Sequence, residues 1–306
     1  MNRLIIGLLA LAGLAACSNE NKTNTGSNTD ENVFIRLSAG MPSATANPDS
    51  KAVISGNTTF TASVAGWEAL AGEENYSASP TWEASIADIQ AEANQQSVTL
   101  NPAQVYNADD DIKTYMKAWY PTGNAEAGKV AFANTDGTVD ALLAGAVSGS
   151  KWDNEGKVLQ FTHPTTQIKF VVKEGSGLAA NTTLNRITIL GAELPTGFDL
   201  TSDAVTYAAQ ANLDIPGIDG SLVIGTTEAG DRAGEPVMIR PMSGNTLALE
   251  VETSTATFDV TATIDGDANF VAGKAYTITL TFMQSDIELS ATVTPWTEGT
   301  GSGQVE

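Results

Sequence analysis

Lys157-Val158-Leu159-Gln160-Phe161-Thr162-His163-Pro164-Thr165-Thr166-Gln167-Ile168-Lys169-Phe170-Val171-Val172 carries two strand patterns, one on each side of a proline. Before it, Leu159, Phe161 and His163 alternate with Val158, Gln160 and Thr162. After it, Gln167–Val172 resumes the period-two pattern of a half-buried strand. Proline fixes φ and biases His163 toward extended backbone, so one strand cannot run through both patterns. The bend falls a little past mid-chain, where two β domains of ordinary size would join. It also holds the only histidine, expected to be a half-buried, hydrogen-bonded ring at the junction.

Composition points the same way. The 306 residues suffice for two cores, and Val, Thr and Gly are abundant while heptads are absent, as in an all-β chain of sandwich class. Acidic residues outnumber basic ones 36 to 15, for a net charge of −21, which argues against nucleic acid and fits an exported, soluble protein. A single cysteine allows no intramolecular disulfide.

That cysteine has a different use. Arg3 and the apolar run Leu4–Leu14 read as a secretory signal peptide over residues 1–16. It ends Leu14-Ala15-Ala16-Cys17, a bacterial lipobox, so Cys17 is expected to be acylated and to anchor the chain in the outer membrane. Residues 17–32 are polar and read as a flexible tether. In Val33–Ala39, the side chains of Val33, Ile35, Leu37 and Ala39 share one face of a first strand, and a proline-containing loop follows.

Further strands are expected at Thr58–Val64, Ser97–Leu100, Thr114–Trp119, Lys129–Phe132 and Val139–Val147. In the second half they are expected at Leu184–Leu190, Ser221–Ile224, Pro236–Arg240, Thr246–Thr253, Thr257–Ile264, Ala275–Phe282 and Asp286–Val293. The last two form a hairpin, and Ile287, Leu289, Ala291 and Val293 give the final strand an apolar face. Ile86, Ile89 and Ala93 have helical spacing and predict a turn or two of helix. Trp67, Trp82, Trp119 and Trp152 are expected to pack in the core.

Candidate chemistry is sparse. One histidine beside a proline is a poor catalytic base, no nucleophile elbow occurs, and zinc-type Cys/His clusters are absent. Asn107-x-Asp109-x-Asp111 and Asp265-x-Asp267-x-Asn269 alternate oxygen ligands as calcium loops do. Both lack the glycine at the sixth position and the glutamate at the twelfth, so they read as acidic turns. No catalytic residue, metal site or cofactor is expected.

Phe161-x-His163-x-x-Thr166-Gln167-Ile168-Lys169-Phe170 resembles the mid-chain signature of the fimbrillin family of Bacteroidetes. Phe270-Val271-Ala272-Gly273-Lys274-Ala275-Tyr276-Thr277-Ile278-Thr279-Leu280, continuing through Ile287–Val293 to Trp296 and Gly299, resembles its C-terminal segment. The resemblance implies two tandem transthyretin-like β-sandwich domains, here 33–164 and 165–306. It also implies export as a surface lipoprotein and polymerisation into type V pili by strand exchange. A protease would remove the first strand, with Val33, Ile35 and Leu37, by cutting between Lys51 and Ala52. Members with a known cut place arginine there, and Arg36, within the strand pattern, is expected to be poorly accessible. The strand holding Ile287, Leu289 and Val293 would then serve as donor. Implied partners are other fimbrial subunits, as a homopolymer or with tip and anchor proteins, the outer membrane through the lipid, and a host or bacterial surface receptor. The residues leave two alternatives open: Val33–Ala39 as an ordinary, permanent first strand, and a monomeric surface lipoprotein that binds glycan or host protein through its tryptophans and loops.

Overall fold

The computed structural model describes residues 32–41, 54, 58–91, 95–264, 267–284 and 286–295. The described residues are all β, with no helix, so none is long and apolar enough to cross a membrane. Cys17, Lys51 and Ala52, and with them the lipobox and the expected cut, lie outside the described residues, as do Trp296 and Gly299.

The first half contains β1 (Leu37–Gly40), β2 (Thr59–Leu70), β3 (Trp82–Gln90), β4 (Gln96–Val98), β5 (Ile112–Tyr120), β6 (Lys129–Ala131), β7 (Leu142–Gly149) and β8 (Val158–Thr162). Seven of them form one sheet in the order β3-β2-β5-β7-β8-β1-β4. Just past β4, Asn101 bridges back to Ser85 of β3, so the sheet curls until its two ends meet. Phe60, Ala62, Val64, Met116, Ala118, Leu142, Leu159 and Phe161 fill the enclosed core.

The second half contains β9 (Thr166–Glu174), β10 (Leu184–Ala192), β11 (Pro195–Asp199), β12 (Ala204–Tyr207), β13 (Ala211–Asp214), β14 (Asp231–Ile239) and β15 (Met242–Ser243). After these come β16 (Thr246–Thr253), β17 (Thr257–Thr263), β18 (Asn269–Phe270), β19 (Lys274–Phe282) and β20 (Ile287–Pro295). Two four-stranded sheets, β13-β10-β16-β17 and β14-β9-β19-β20, face each other across a second core. Ile187, Leu249 and Val251 enter it from one sheet, and Phe170, Val237, Ile278 and Phe282 from the other. β19 runs parallel to β9 and antiparallel to β20, giving the expected final hairpin. β14 accommodates Pro236 in a bulge between Ala233 and Val237, helped by Gly234 at φ +69°, where only glycine is unstrained.

The two halves share a third apolar cluster. β11 pairs with β12 and also with β6 of the first half. Phe198 and Leu200 thereby cover the outer face of β2, β5 and β7, burying Ala65, Trp67, Trp119 and Leu143. These central strands are buried on both faces, so strict alternation fails along them: Thr114–Trp119 is buried at every position.

Two expectations change. The predicted helical turns at Ile86–Ala93 are instead strand β3 as far as Gln90, with Ala93 outside the described residues. Ile86 pairs with Ala62 and Ile89 with Phe60, so two residues of β3 oppose one of β2. That bulge, with Asp88 at φ 55°, puts both isoleucines on the core face at a spacing that imitates a helix. Ser221–Ile224 makes a single bridge, Val223 to Thr183, rather than a strand of its own.

Candidate functional site

The segment expected to be removable is seated inside the first sheet. Phe34 bridges Val105, the Ile35 amide donates to the Gln104 carbonyl (2.9 Å), and the Tyr106 amide donates to the Val33 carbonyl (2.9 Å). From Leu37 the strand runs antiparallel to β4 and, on its other side, parallel to β8. Alternation sets which side chains point in: Ile35, Leu37, Ala39 and Met41 are buried, Val33 packs at the margin, and Phe34 points out. Beside it, a cleft of about 330 Å³ lies between Phe34–Leu37 and Ser97–Gln104. Arg36, expected to be poorly accessible, is exposed, because it falls on the outward phase of the same alternation.

At the other end of the chain, β20 lies at a sheet edge and pairs with β19 from Phe282↔Ile287 to Lys274↔Pro295. Ile287 is buried in the second core, Leu289 pairs with Leu280, and Val293 pairs with Tyr276.

Residues 64–296 match the sequence profile of the fimbrillin-like family. The chain belongs to that family. No curated protein matches it. Among solved structures it is similar to a candidate cell adhesion protein from Bacteroides uniformis ATCC 8492, with TM-score 0.57 and 16% identity over 89% of this chain and 100% of the other. A candidate cell adhesion protein from Bacteroides ovatus ATCC 8483 gives TM-score 0.52 and 16% identity over 87% and 98%. The tip fimbrial protein Mfa3 from Porphyromonas gingivalis, with a C-terminal truncation, gives 0.46 and 9% over 86% and 100%. The family is one of structural fimbrial proteins of the cell surface, not of enzymes.

The junction of this fimbrillin-like chain is drier than its sequence suggests. His163 is 3% exposed rather than half-buried, and its Nδ1 is hydrogen-bonded to Asp140 Oδ1 (2.9 Å). Asp140, itself 2% exposed, accepts the Ile54 amide on its second oxygen (2.8 Å). The carboxylate thus ties the seam to the chain entering β2. This is a structural use of an Asp–His pair, and one that 23 residues of separation hid from the sequence.

The four tryptophans expected in the core divide. Trp67 and Trp119 are buried in the third cluster, their Nε1 groups donating to the carbonyls of Ala78 (3.0 Å) and Gly123 (3.1 Å). Trp82 lies flat against Gly66 and packs on the first core. Trp152 is not a core residue: it is 77% exposed at the β7–β8 turn.

The first acidic motif is a turn. The Asp109 amide donates to Asn107 Oδ1 and the Asp111 amide to Asp109 Oδ1, successive Asx turns. Of the second motif, Asp265 lies outside the described residues and Asn269 belongs to β18; Asp267 is held by Lys274 and by Tyr276 Oη, and the Lys274 contact pulls its pKa below the usual carboxylate range. Among the described residues no His, Cys, Asp and Glu group is arranged to hold a metal. Sequence gave no signal for Lys117, which is buried beneath the β11–β12 hairpin with its ammonium 4.0 Å from the centroid of the Tyr76 ring. Burial, then Glu74 and Asp203, pushes the Tyr76 pKa up to about 12.

Proposed function

We propose that this chain is a structural subunit of a cell-surface fimbria. It is exported as an outer-membrane lipoprotein acylated at Cys17 and assembled by strand exchange. The segment bearing Val33, Ile35 and Leu37 leaves when the chain is cut between Lys51 and Ala52, and a neighbouring subunit supplies the replacement strand. Residues 33–164 and 165–306 act as two tandem transthyretin-like domains. The fibre carries adhesion, and its partners are other subunits and a surface receptor. No catalytic role or cofactor belongs to this reading.

One observation supports the reading above others: β1 is an inner strand whose apolar side chains point into the first core. Taking it out would leave β4 and β8 with unpaired backbone groups and an apolar trough between them. A donor of the same alternation would recover both, by strand addition. Three large side chains, those of Ile35, Leu37 and Met41, at about 1.5–3 kcal/mol each, give on the order of 5–9 kcal/mol from burial before backbone pairing. Keeping β1 in place until export is complete also shields an aggregation-prone edge. For the donor, β20 with Ile287, Leu289 and Val293 is favoured by its edge position, since release breaks one ladder only. A β20 that stays home would make the subunit a tip or anchor.

N-terminal mass spectrometry of protein sheared from producing cells, set against the membrane fraction, tests this. Sheared material starting at Ala52 is expected. An acylated Cys17 on every molecule in both fractions would overturn processing and strand removal.

A further inference from the structure

Trp152 is the most exposed of the large hydrophobic side chains among the described residues. It stands on the tight turn of the β7–β8 hairpin, where Ser150 and Asp153 exchange both backbone hydrogen bonds (3.0 Å each). The turn is braced from below: an added Cβ at Gly149 would lie 2.4 Å from Tyr106 Oη, so only glycine lets the hairpin sit on that buried ring. The indole is also fixed in direction, because its Nε1 donates to Asp110 Oδ1 (2.9 Å). Lys151 binds that same carboxylate and the Ala108 carbonyl, with its ammonium 5.5 Å from the indole centroid. An exposed aromatic ring that folding has already oriented loses little entropy on contact.

The surroundings select what can cover it. Asp153 and Glu155 on its own turn and Asp109, Asp110 and Asp111 on the loop it bonds to are all exposed, and the nearby cations Lys151 and Lys157 are already paired with Asp110 and Asp153, leaving an excess of carboxylates. An acidic rim repels a second copy of a chain with net charge −21, and it repels anionic ligands. A single ring is also far short of the roughly 1,000 Å² that a stable protein interface needs. A neutral hydroxyl-rich ring meets both conditions: its C–H face lies on the indole and its hydroxyls donate to the carboxylates.

We infer that Trp152 is the stacking platform of a carbohydrate site that takes a neutral pyranose, with Asp110 and Lys151 as its polar rim. The site is independent of polymerisation and would operate in a monomer or a fibre.

Saturation-transfer NMR on the full chain with methyl glycosides of glucose, galactose, mannose and N-acetylglucosamine, with sialyllactose as the anionic arm, tests it. At least one neutral glycoside is expected to receive saturation at millimolar concentration, chiefly on its C–H face. Trp152→Ala should weaken binding by about tenfold or more, Trp152→Phe less, and Asp110→Asn should weaken it as well. Because the ring is exposed, an unchanged melting temperature for Trp152→Ala is the folding control. No transfer to any neutral glycoside, transfer that survives Trp152→Ala, or a preference for sialyllactose would each overturn the assignment.

Discussion

Lys117 of β5 and Asp203, in the turn after β11, join the two halves of the chain at 2.5 Å, and the same ammonium donates to the Leu200 carbonyl at 2.5 Å. The partners are unequal: the lysine side chain is 2% exposed and the aspartate 47%. Removing the lysine strips a buried carbonyl of its donor and empties the space beside Tyr76. Lys117→Ala is therefore expected to cost about 3 kcal/mol by chemical denaturation. Asp203 is half in solvent and sits at φ 54°, which asparagine tolerates, so Asp203→Asn should cost about 1 kcal/mol or less. Equal costs would mean that the ion pair, rather than the buried carbonyl and packing, holds the hairpin down.

The Lys117 contact also marks where sequence reading ends. Strands with one wet face are legible from alternation: β16 and β19 follow it almost residue for residue, and so does the inward set Ile35, Leu37 and Ala39. β5 reads as a strand, but nothing local says that its second face is covered. The cover, β11–β12, arrives from about 80 residues later and pairs with β6. The buried lysine, and the split of Trp119 from Trp152, both follow from that long-range contact. β3 failed for the opposite reason, since a bulge gave a strand the spacing of a helix.

Trp119 and Trp152 make a matched pair. Trp119 is fully buried and donates a hydrogen bond, so Trp119→Ala should cost about 3–5 kcal/mol. Trp152→Ala should stay within about 0.5 kcal/mol of the parent. Denaturant titrations of the two variants check both; similar losses would put Trp152 in a packed environment.

Gly66 lies under the Trp82 ring, and an added Cβ would fall 2.2 Å from Trp82 Cε2. The ring cannot retreat without leaving the first core, so Gly66→Ala is expected to cost about 1–3 kcal/mol by overpacking. In Gly66→Ala/Trp82→Leu the penalty should shrink, and a double-mutant cycle measures the coupling. Strict additivity would show that the ring moves freely.

Tyr76, Tyr106, Tyr207 and Tyr276 share a response to base. Burial is the main cause that raises each pKa from 10.0 to about 12. The folded state therefore holds these phenol protons more tightly than the unfolded chain. Their contribution is complete below pH 10 and is lost as pH rises through 12. Denaturation midpoints should fall across that window, and Tyr76→Phe and Tyr207→Phe should flatten the fall. A flat profile up to pH 12 would mean that the phenols reach water in the folded protein.

The first strand gives the sharpest test, because its register states which side chains matter. A chain beginning at Ala52 should bind a synthetic peptide of residues Val33–Met41 and gain stability with peptide concentration, as any ligand of the folded state does. Leu37 and Ala39 point into the core, while Ser38 lies between them on the opposite phase. Leu37→Asp in the peptide should abolish the gain, and Ser38→Asp should leave most of it. The recipient must also fold without β1, and hydrogen exchange should then show β4 and the adjoining part of β8 losing protection first, because these are the strands β1 pairs with. If both peptides stabilise equally, the trough does not read alternate side chains, and strand replacement loses its physical basis in this chain.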